Sequence, residues 1–253
     1  MHDLPWSAVW RVPLPGGAAW LKRCHAVQAH EPALTAALAA RWPDRLPGLL
    51  GHDPGRSLLL LADAGSPVRA FGDALEAWRA VLPLYAELQQ GESAHVDDHL
   101  AAGVPDQRAE ALAAALEELP DERLRPFARG LVELCGELTV APTVQHDDLH
   151  GGNVFARDGR VVVLDWGDTV IGHPFATMLV TLRVNEKIAA PLRDAYLDAW
   201  PRDTHAEFDA ALRIAGFTRI LSWKRIADAT GDPTSYEALE RNVEWFLENS
   251  ASS

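Results

Sequence analysis

The chain has 253 residues, 48% of them hydrophobic and 23% charged, a globular composition that excludes a disordered chain. Its net charge of −13 argues against broad binding to nucleic acid or anionic lipid, since both need basic patches. The start MHDLPWSAVWRV has no basic segment followed by an apolar run, and no stretch of about 18 apolar residues occurs, so neither a signal peptide nor a membrane span is predicted. Cys24 and Cys135 are far apart and sit in no motif, which excludes a disulfide framework or a cysteine zinc site. A cytoplasmic protein is the expectation.

In chain order, residues 7–12 (SAVWRV) and 18–23 (AAWLKR) flank Pro13-Leu14-Pro15-Gly16-Gly17 and predict a β-hairpin. Glu31-Pro32 opens a helical pattern with Leu34, Ala37, Leu38 and Trp42 on one face, ended by Pro43-Asp44. Two short strands follow around the Asp53-Pro54-Gly55 turn, and Gly65-Ser66-Pro67 reads as a linker. Helices are predicted over 69–91, with Pro83 as a kink or break, and over 106–118 and 121–137. Residues 143–145 read as extended and 160–165 (RVVVLD) as a buried strand. Helices resume near Pro174 and continue near 187–200, 204–229 and 234–248. Charge divides the chain: residues 1–63 hold six Lys/Arg and five Asp/Glu, residues 64–253 seventeen and thirty-one. Two parts, 1–63 and 64–253, with different partners are therefore expected.

The only predicted non-helical stretch of the larger part, 143–165, also holds its densest polar cluster: Gln145-His146-Asp147-Asp148-Leu149-His150-Gly151-Gly152-Asn153, then Asp165 in Val163-Leu164-Asp165-Trp166-Gly167. Aspartate and asparagine oxygens suit a hard cation such as Mg²⁺. Phosphoryl transfer needs, besides the metal, a base at the attacking hydroxyl and a cation on the triphosphate, which Lys22 could supply.

HDDLHGGN resembles the catalytic loop of the aminoglycoside phosphotransferase family, His-Gly-Asp-Leu-His-x-x-Asn, and VVVLDWG resembles the metal-binding strand end that follows it. Trp20-Leu21-Lys22 is similar to the family's third strand with its phosphate-pairing lysine, and Glu31 falls where the helix glutamate holding that lysine belongs. The matches run in the expected order over nearly the whole chain. The resemblance implies an α+β, protein-kinase-like two-lobed fold. Its small β-rich N-terminal lobe, 1–63, is truncated at its start, and its large helical C-terminal lobe is 64–253. It implies Mg²⁺-dependent transfer of phosphate from ATP or GTP to a hydroxyl. Asp148 would be the base, Asn153 and Asp165 the metal ligands, Lys22 and Glu31 the phosphate-binding pair, and Leu60-Leu61-Ala62-Asp63 the adenine-binding connection through Leu61 and Ala62. His146 and His150 would brace the loop.

Departures from the family pattern matter. Asp147 replaces the family glycine, Gly172-His173-Pro174 replaces Gly-Asp-Pro and so loses that aspartate's bracing, and Thr177-Met178 replaces Asp-Leu. Only six residues precede the first clear strand, so either Pro5-Trp6-Ser7 is a minimal phosphate loop with Ser7 near the phosphates, or the first strand is missing. Two rivals stand beside the kinase reading: an inactive kinase-fold binding module, and a zinc hydrolase using His146 and His150, which would need a helix there. The acidic larger part favours a cationic acceptor such as an aminoglycoside, amino sugar or amino alcohol. Asp147, Asp168, Asp194, Asp198 and Glu248 are candidate acceptor surfaces, and Trp200 and Trp245 candidate stacking residues.

Overall fold

The structure is a computed structural model describing residues 2–70, 74–117, 119, 121–157 and 160–250. Its first part is an antiparallel sheet of β1 (His2–Leu4), β2 (Ser7–Leu14), β3 (Gly17–Cys24), β4 (Leu49–Asp53) and β5 (Leu58–Ala62), in the order β1-β2-β3-β5-β4. Helix α1 (Glu31–Arg41) is inserted between β3 and β4. The predicted hairpin is β2–β3, closed by Pro15-Gly16 between the paired Leu14 and Gly17. Gly16 has φ +82°, the left-handed position that a proline-first turn of this kind demands of its second central residue. A first strand is present: β1 pairs His2 with Val9 and Leu4 with Ser7, and the turn between β1 and β2 is only Pro5-Trp6.

The segment read as a linker is a strand. β6 (Ser66–Pro67) pairs with β8 (Val154–Arg157), which continues to β9 (Arg160–Val163). The non-helical stretch also runs past residue 165, because β7 (Thr143–Gln145) pairs with β10 (Val170–Gly172).

The helices are α2 (Ala74–Glu92), α3 (Val96–Ala101), α4 (Ala109–Glu117), α5 (Arg125–Glu137), α6 (Met178–Val184), α7 (Ala189–Leu197), α8 (Phe208–Thr230) and α9 (Pro233–Ser250). Pro83 does not divide α2: burial of Trp78, Leu82, Tyr85 and Ala86 on one face outweighs the hydrogen bond the proline removes. The main core joins Leu34 and Leu38 of α1, this face of α2, Val144, Leu149, Val163, Trp166, Phe175 and Tyr196. Trp200 belongs to this core, its ring edge-on to Phe175 at 5.0 Å, so it is not a stacking surface. A second cluster packs α4 and α5 on α8 and α9 through Leu112, Leu131, Phe217 and Phe246.

α2 fixes the polar loop after β7. Gln89 donates to the carbonyls of Val144 and Pro174, its own carbonyl accepts from Thr143, and Tyr85 Oη accepts from the His146 amide at 3.0 Å. Every one of these groups is buried, where an unpaired polar atom would cost about 1–3 kcal/mol.

Candidate active site

A cavity of about 290 Å³ opens between the first sheet and the β8–β9 hairpin. Its roof is Val9, Trp20 and Lys22, and Leu61 leads to its back wall of Asp63, Ala64 and Gly65. Gly152, Asn153, Phe155 and Asp165 form its floor. Val9 and Lys22 are directly paired across β2 and β3, so strand alternation points Trp20, Lys22 and Val9 into the same space.

Lys22 Nζ lies 2.6 Å from Glu31 Oε2 and 2.5 Å from Asp165 Oδ1. Burial disfavours the lysine charge, but the two carboxylates hold its proton affinity above the ordinary range. Burial likewise opposes ionisation of Asp165, and Lys22 reverses it, holding the carboxyl below its usual value. Glu31 is fully buried at the start of α1 and is pushed up by that burial; it also accepts from Cys24 Sγ at 3.1 Å. Gln28 Nε2 donates to Asp168 Oδ1 at 2.7 Å.

The loop 146–153 brings the second set together. The Asp148 amide donates to the His146 carbonyl at 2.8 Å, closing a three-residue turn around Asp147, whose φ is +58°. This explains why a glycine suits the position, and why aspartate, which tolerates left-handed geometry better than most residues, can replace it. His146 Nε2 donates to the Leu164 carbonyl at 2.8 Å, tying the loop to the approach to Asp165. His150 Nδ1 accepts from the Gly152 amide at 2.8 Å, so its Nε2–H faces Asp148 Oδ2 at 3.4 Å. A Cβ on Gly152 would fall 2.5 Å from the His150 ring and 2.8 Å from Arg69 Nη1, so any larger residue must push these side chains aside. Asn153 Nδ2 donates to the Asp148 carbonyl at 3.0 Å, and the residue lines the cavity.

Arg219 of α8 completes the loop. Its Nη2 donates to Asp148 Oδ1 at 2.8 Å and its Nη1 to the Asp147 carbonyl. Burial opposes ionisation of Asp148, but the His150 hydrogen bond and the Arg219 charge overcome it and hold the carboxyl well below the usual range. One helical turn later, Trp223 meets the edge of Trp6 from the β1–β2 turn at 5.9 Å.

Lys22, Glu31, Asp165, Asn153 and Leu61 of the expected set thus line one cavity, with Asp148 bonded to Asn153 at its edge. Ala62 does not line it: its amide is spent on the Gly48 carbonyl at 2.8 Å, and the backbone facing the cavity is the next segment, 63–65. Ser7 lies outside the lining, two positions before Val9 on the same face of β2. The zinc arrangement fails because 146–150 is not helical and His146 Nε2 is committed to Leu164. His173 supplies the bracing expected to be lost: its Nδ1 accepts from the Phe175 amide and its Nε2 pairs with Glu207 at 3.1 Å. Trp245 stacks on Arg183 at 4.1 Å. The sequence reading missed Arg219, Phe155 and the ring of Trp20 as parts of the site. Arg219 carries no motif, whereas Phe155, two residues after Asn153, could have been found from its place on β8.

Comparison with known proteins bears on the family and the fold. The model of the phosphotransferase enzyme family matches residues 18–211. None of the curated proteins matches the chain in sequence. Among solved structures, the GDP complex of wild-type aminoglycoside 2'-phosphotransferase-IIIa is 16% identical with a TM-score of 0.62, covering 98% of this chain and 95% of that one. The choline kinase LicA from Streptococcus pneumoniae is 12% identical with a TM-score of 0.66, covering 95% and 89%. Amicoumacin kinase hAmiN in complex with AMP-PNP, Ca²⁺ and Ami is 13% identical with a TM-score of 0.66, covering 98% and 87%. The fold is therefore the kinase-like α+β fold these proteins share, and with the family model matching well over half its length, the chain belongs to the phosphotransferase enzyme family.

Proposed function

We propose that the protein transfers the γ-phosphoryl group of ATP or GTP to a hydroxyl of a small molecule. The observation that carries this reading is the convergence of Lys22, Glu31, Asn153 and Asp165 on one cavity, with Asp148 at its edge. Residues 1–63 would form the nucleotide lobe and 64–253 the catalytic and acceptor lobe. Trp20, Leu61 and Phe155 give apolar cover to a nucleobase, whose polar edge would face the backbone of 63–65. Lys22, held by Glu31, would pair with the phosphates. Among the described residues no three His, Cys, Asp or Glu side chains form a ready-made metal site. Two oxygen donors, Asn153 and Asp165, nevertheless fit Mg²⁺, which keeps few protein ligands and shares the nucleotide's phosphates. Bound there, the ion would neutralise charge on the transferring phosphate.

Asp148 Oδ2, contacted among the described residues only at 3.4 Å by His150 and Asn153, is the oxygen left to accept the acceptor's hydroxyl proton. As that proton leaves, the acceptor oxygen bonds the γ-phosphorus and the bond to the β-phosphate oxygen breaks, releasing the nucleoside diphosphate. Overall charge supports a cationic alcohol as acceptor, by long-range steering. Asp147 is withdrawn from acceptor contact, since it is buried against Arg219. The decisive experiment is Asp148→Asn, assayed with Mg·ATP against kanamycin, choline and glucose. Turnover should fall about 10²- to 10⁴-fold with nucleotide binding retained; wild-type turnover in the variant refutes the base.

A further inference from the structure

Resting on this reading of Asp148 as the base, we infer that Arg219 is its positioning residue and that Asp147 is retained as the counter-charge of Arg219. The two act as one unit.

The geometry argues it in three steps. Arg219 grips both sides of one peptide: Nη1 holds the carbonyl of Asp147 and Nη2 holds Oδ1 of Asp148. The guanidinium therefore fixes the rotamer of Asp148 relative to the backbone and commits one oxygen, so that Oδ2 alone is presented outward. The arginine comes from the middle of α8, 71 residues along the chain, and its side chain is only 9% exposed.

A buried guanidinium is costly unless neutralised. If Asp148 alone balanced it, the base would be locked in a full ion pair and its lone pairs drawn away from the acceptor. Asp147 shares that charge, with Oδ2 3.4 Å from Arg219 Nη1. Its other oxygen accepts from Gln145 Nε2 at 3.1 Å.

Nothing in the backbone calls for aspartate at 147. Its φ of +58° is one glycine adopts freely, and the carboxylate is 4% exposed, so it neither relieves the turn nor meets solvent. Among the described residues its ion pair is with Arg219, with Arg225 a second, weaker charge acting on it. A residue that costs backbone strain and burial together is explained by the charge it balances.

The test is a double-mutant cycle of Asp147→Gly and Arg219→Gln, with Arg219→Lys and Asp148→Asn as controls. Readouts are turnover with Mg·ATP and the acceptor panel, the KM for ATP, and crystal structures. Thermal melting selects folded variants. Arg219→Gln should lower kcat about 100-fold with the KM for ATP within about twofold. Arg219→Lys should recover only part of the loss, lacking the two-pronged grip. The double variant should be no worse than Arg219→Gln, because the counter-charge is useless without the charge. In crystals of Arg219→Gln, the Asp148 carboxylate should leave its wild-type rotamer. An unmoved Asp148, an undiminished kcat, or losses that simply multiply would overturn the proposal. If Asp148→Asn is fully active, the base assignment itself has failed; if it is inactive while Arg219→Gln is not, only the role of Arg219 has.

Discussion

Opposed charges only a few ångströms apart decide what individual residues can do here. Asp165 is half exposed, yet Lys22 keeps it ionised against the cost of burial on its protein side. Replacing it with asparagine should weaken Mg²⁺-dependent ATP affinity by at least about tenfold, equivalent to about 1.4 kcal/mol. Titrations of ATP with Mg²⁺ and with EDTA would check this: the loss should appear only with the metal, and an unchanged Mg²⁺ titration would remove Asp165 from the site. Asp147 is pushed up to about 6 by burial, with Arg219 pulling the other way, which places it apart from Asp148 although the two are neighbours in sequence. At this scale the sequence was legible where chemistry is local. The spacing of Asp148, Asn153 and Asp165 survives in one short stretch, and Lys22 and Glu31 flank one strand–helix junction. Arg219 was not legible. In the run Gly216-Phe217-Thr218-Arg219-Ile220, an arginine reads as the polar face of a helix, and only the packing of α8 under the loop buries it.

Among the elements, α1, α2 and α3 are joined by one buried carboxylate. Glu92 accepts from Arg41 Nε at 2.7 Å, from Trp42 Nε1 at 2.6 Å and meets His99 Nε2 at 2.6 Å. Burial would raise its pKa, but these hydrogen bonds win and bring it down to about 2. A depressed acid stabilises the fold fully above its unfolded pKa and loses that contribution as pH falls toward the folded value. Glu92→Gln should therefore destabilise the protein by about 2 kcal/mol near neutrality. Denaturant melts across acid pH should show the gap between variant and wild type closing from about pH 4.5 down to about 2. A gap independent of pH would show that shape, not charge, is what Glu92 supplies. Long elements were readable from periodicity, as α1, α8 and α9 show. β6 and β10 were not, because strands of two or three residues have no period to read and exist only through their partners β8 and β7.

Over the whole molecule, charge asymmetry and connectivity meet at the cleft. Residues early in the chain meet later ones through Lys22 with Asp165, Gln28 with Asp168, and Arg225 donating to the Val27 carbonyl at 2.7 Å. Steering by a net charge of −13 acts over distances that salt screens, about 10 Å at 0.1 M. The kcat/KM for a cationic acceptor such as kanamycin should fall steadily with added salt, while that for glucose stays level. Parallel curves would mean that the acidic surface plays no part in acceptor capture. Among the described residues no helix is long and apolar enough to cross a membrane. The two-part division expected at residue 63 rests on the change of charge there. The first strand was not readable, since three residues before a two-residue turn carry almost no pattern.

The perpendicular indole contact of Trp6 and Trp223 joins the β1–β2 turn to α8 at 5.9 Å and 87°. Any motion that parts the first sheet from α8 must also separate these two chromophores and change their exposure to water. The protein thus carries an intrinsic optical gauge of such an opening, readable as the difference in tryptophan emission between the wild type and Trp6→Phe, since seven other tryptophans also emit.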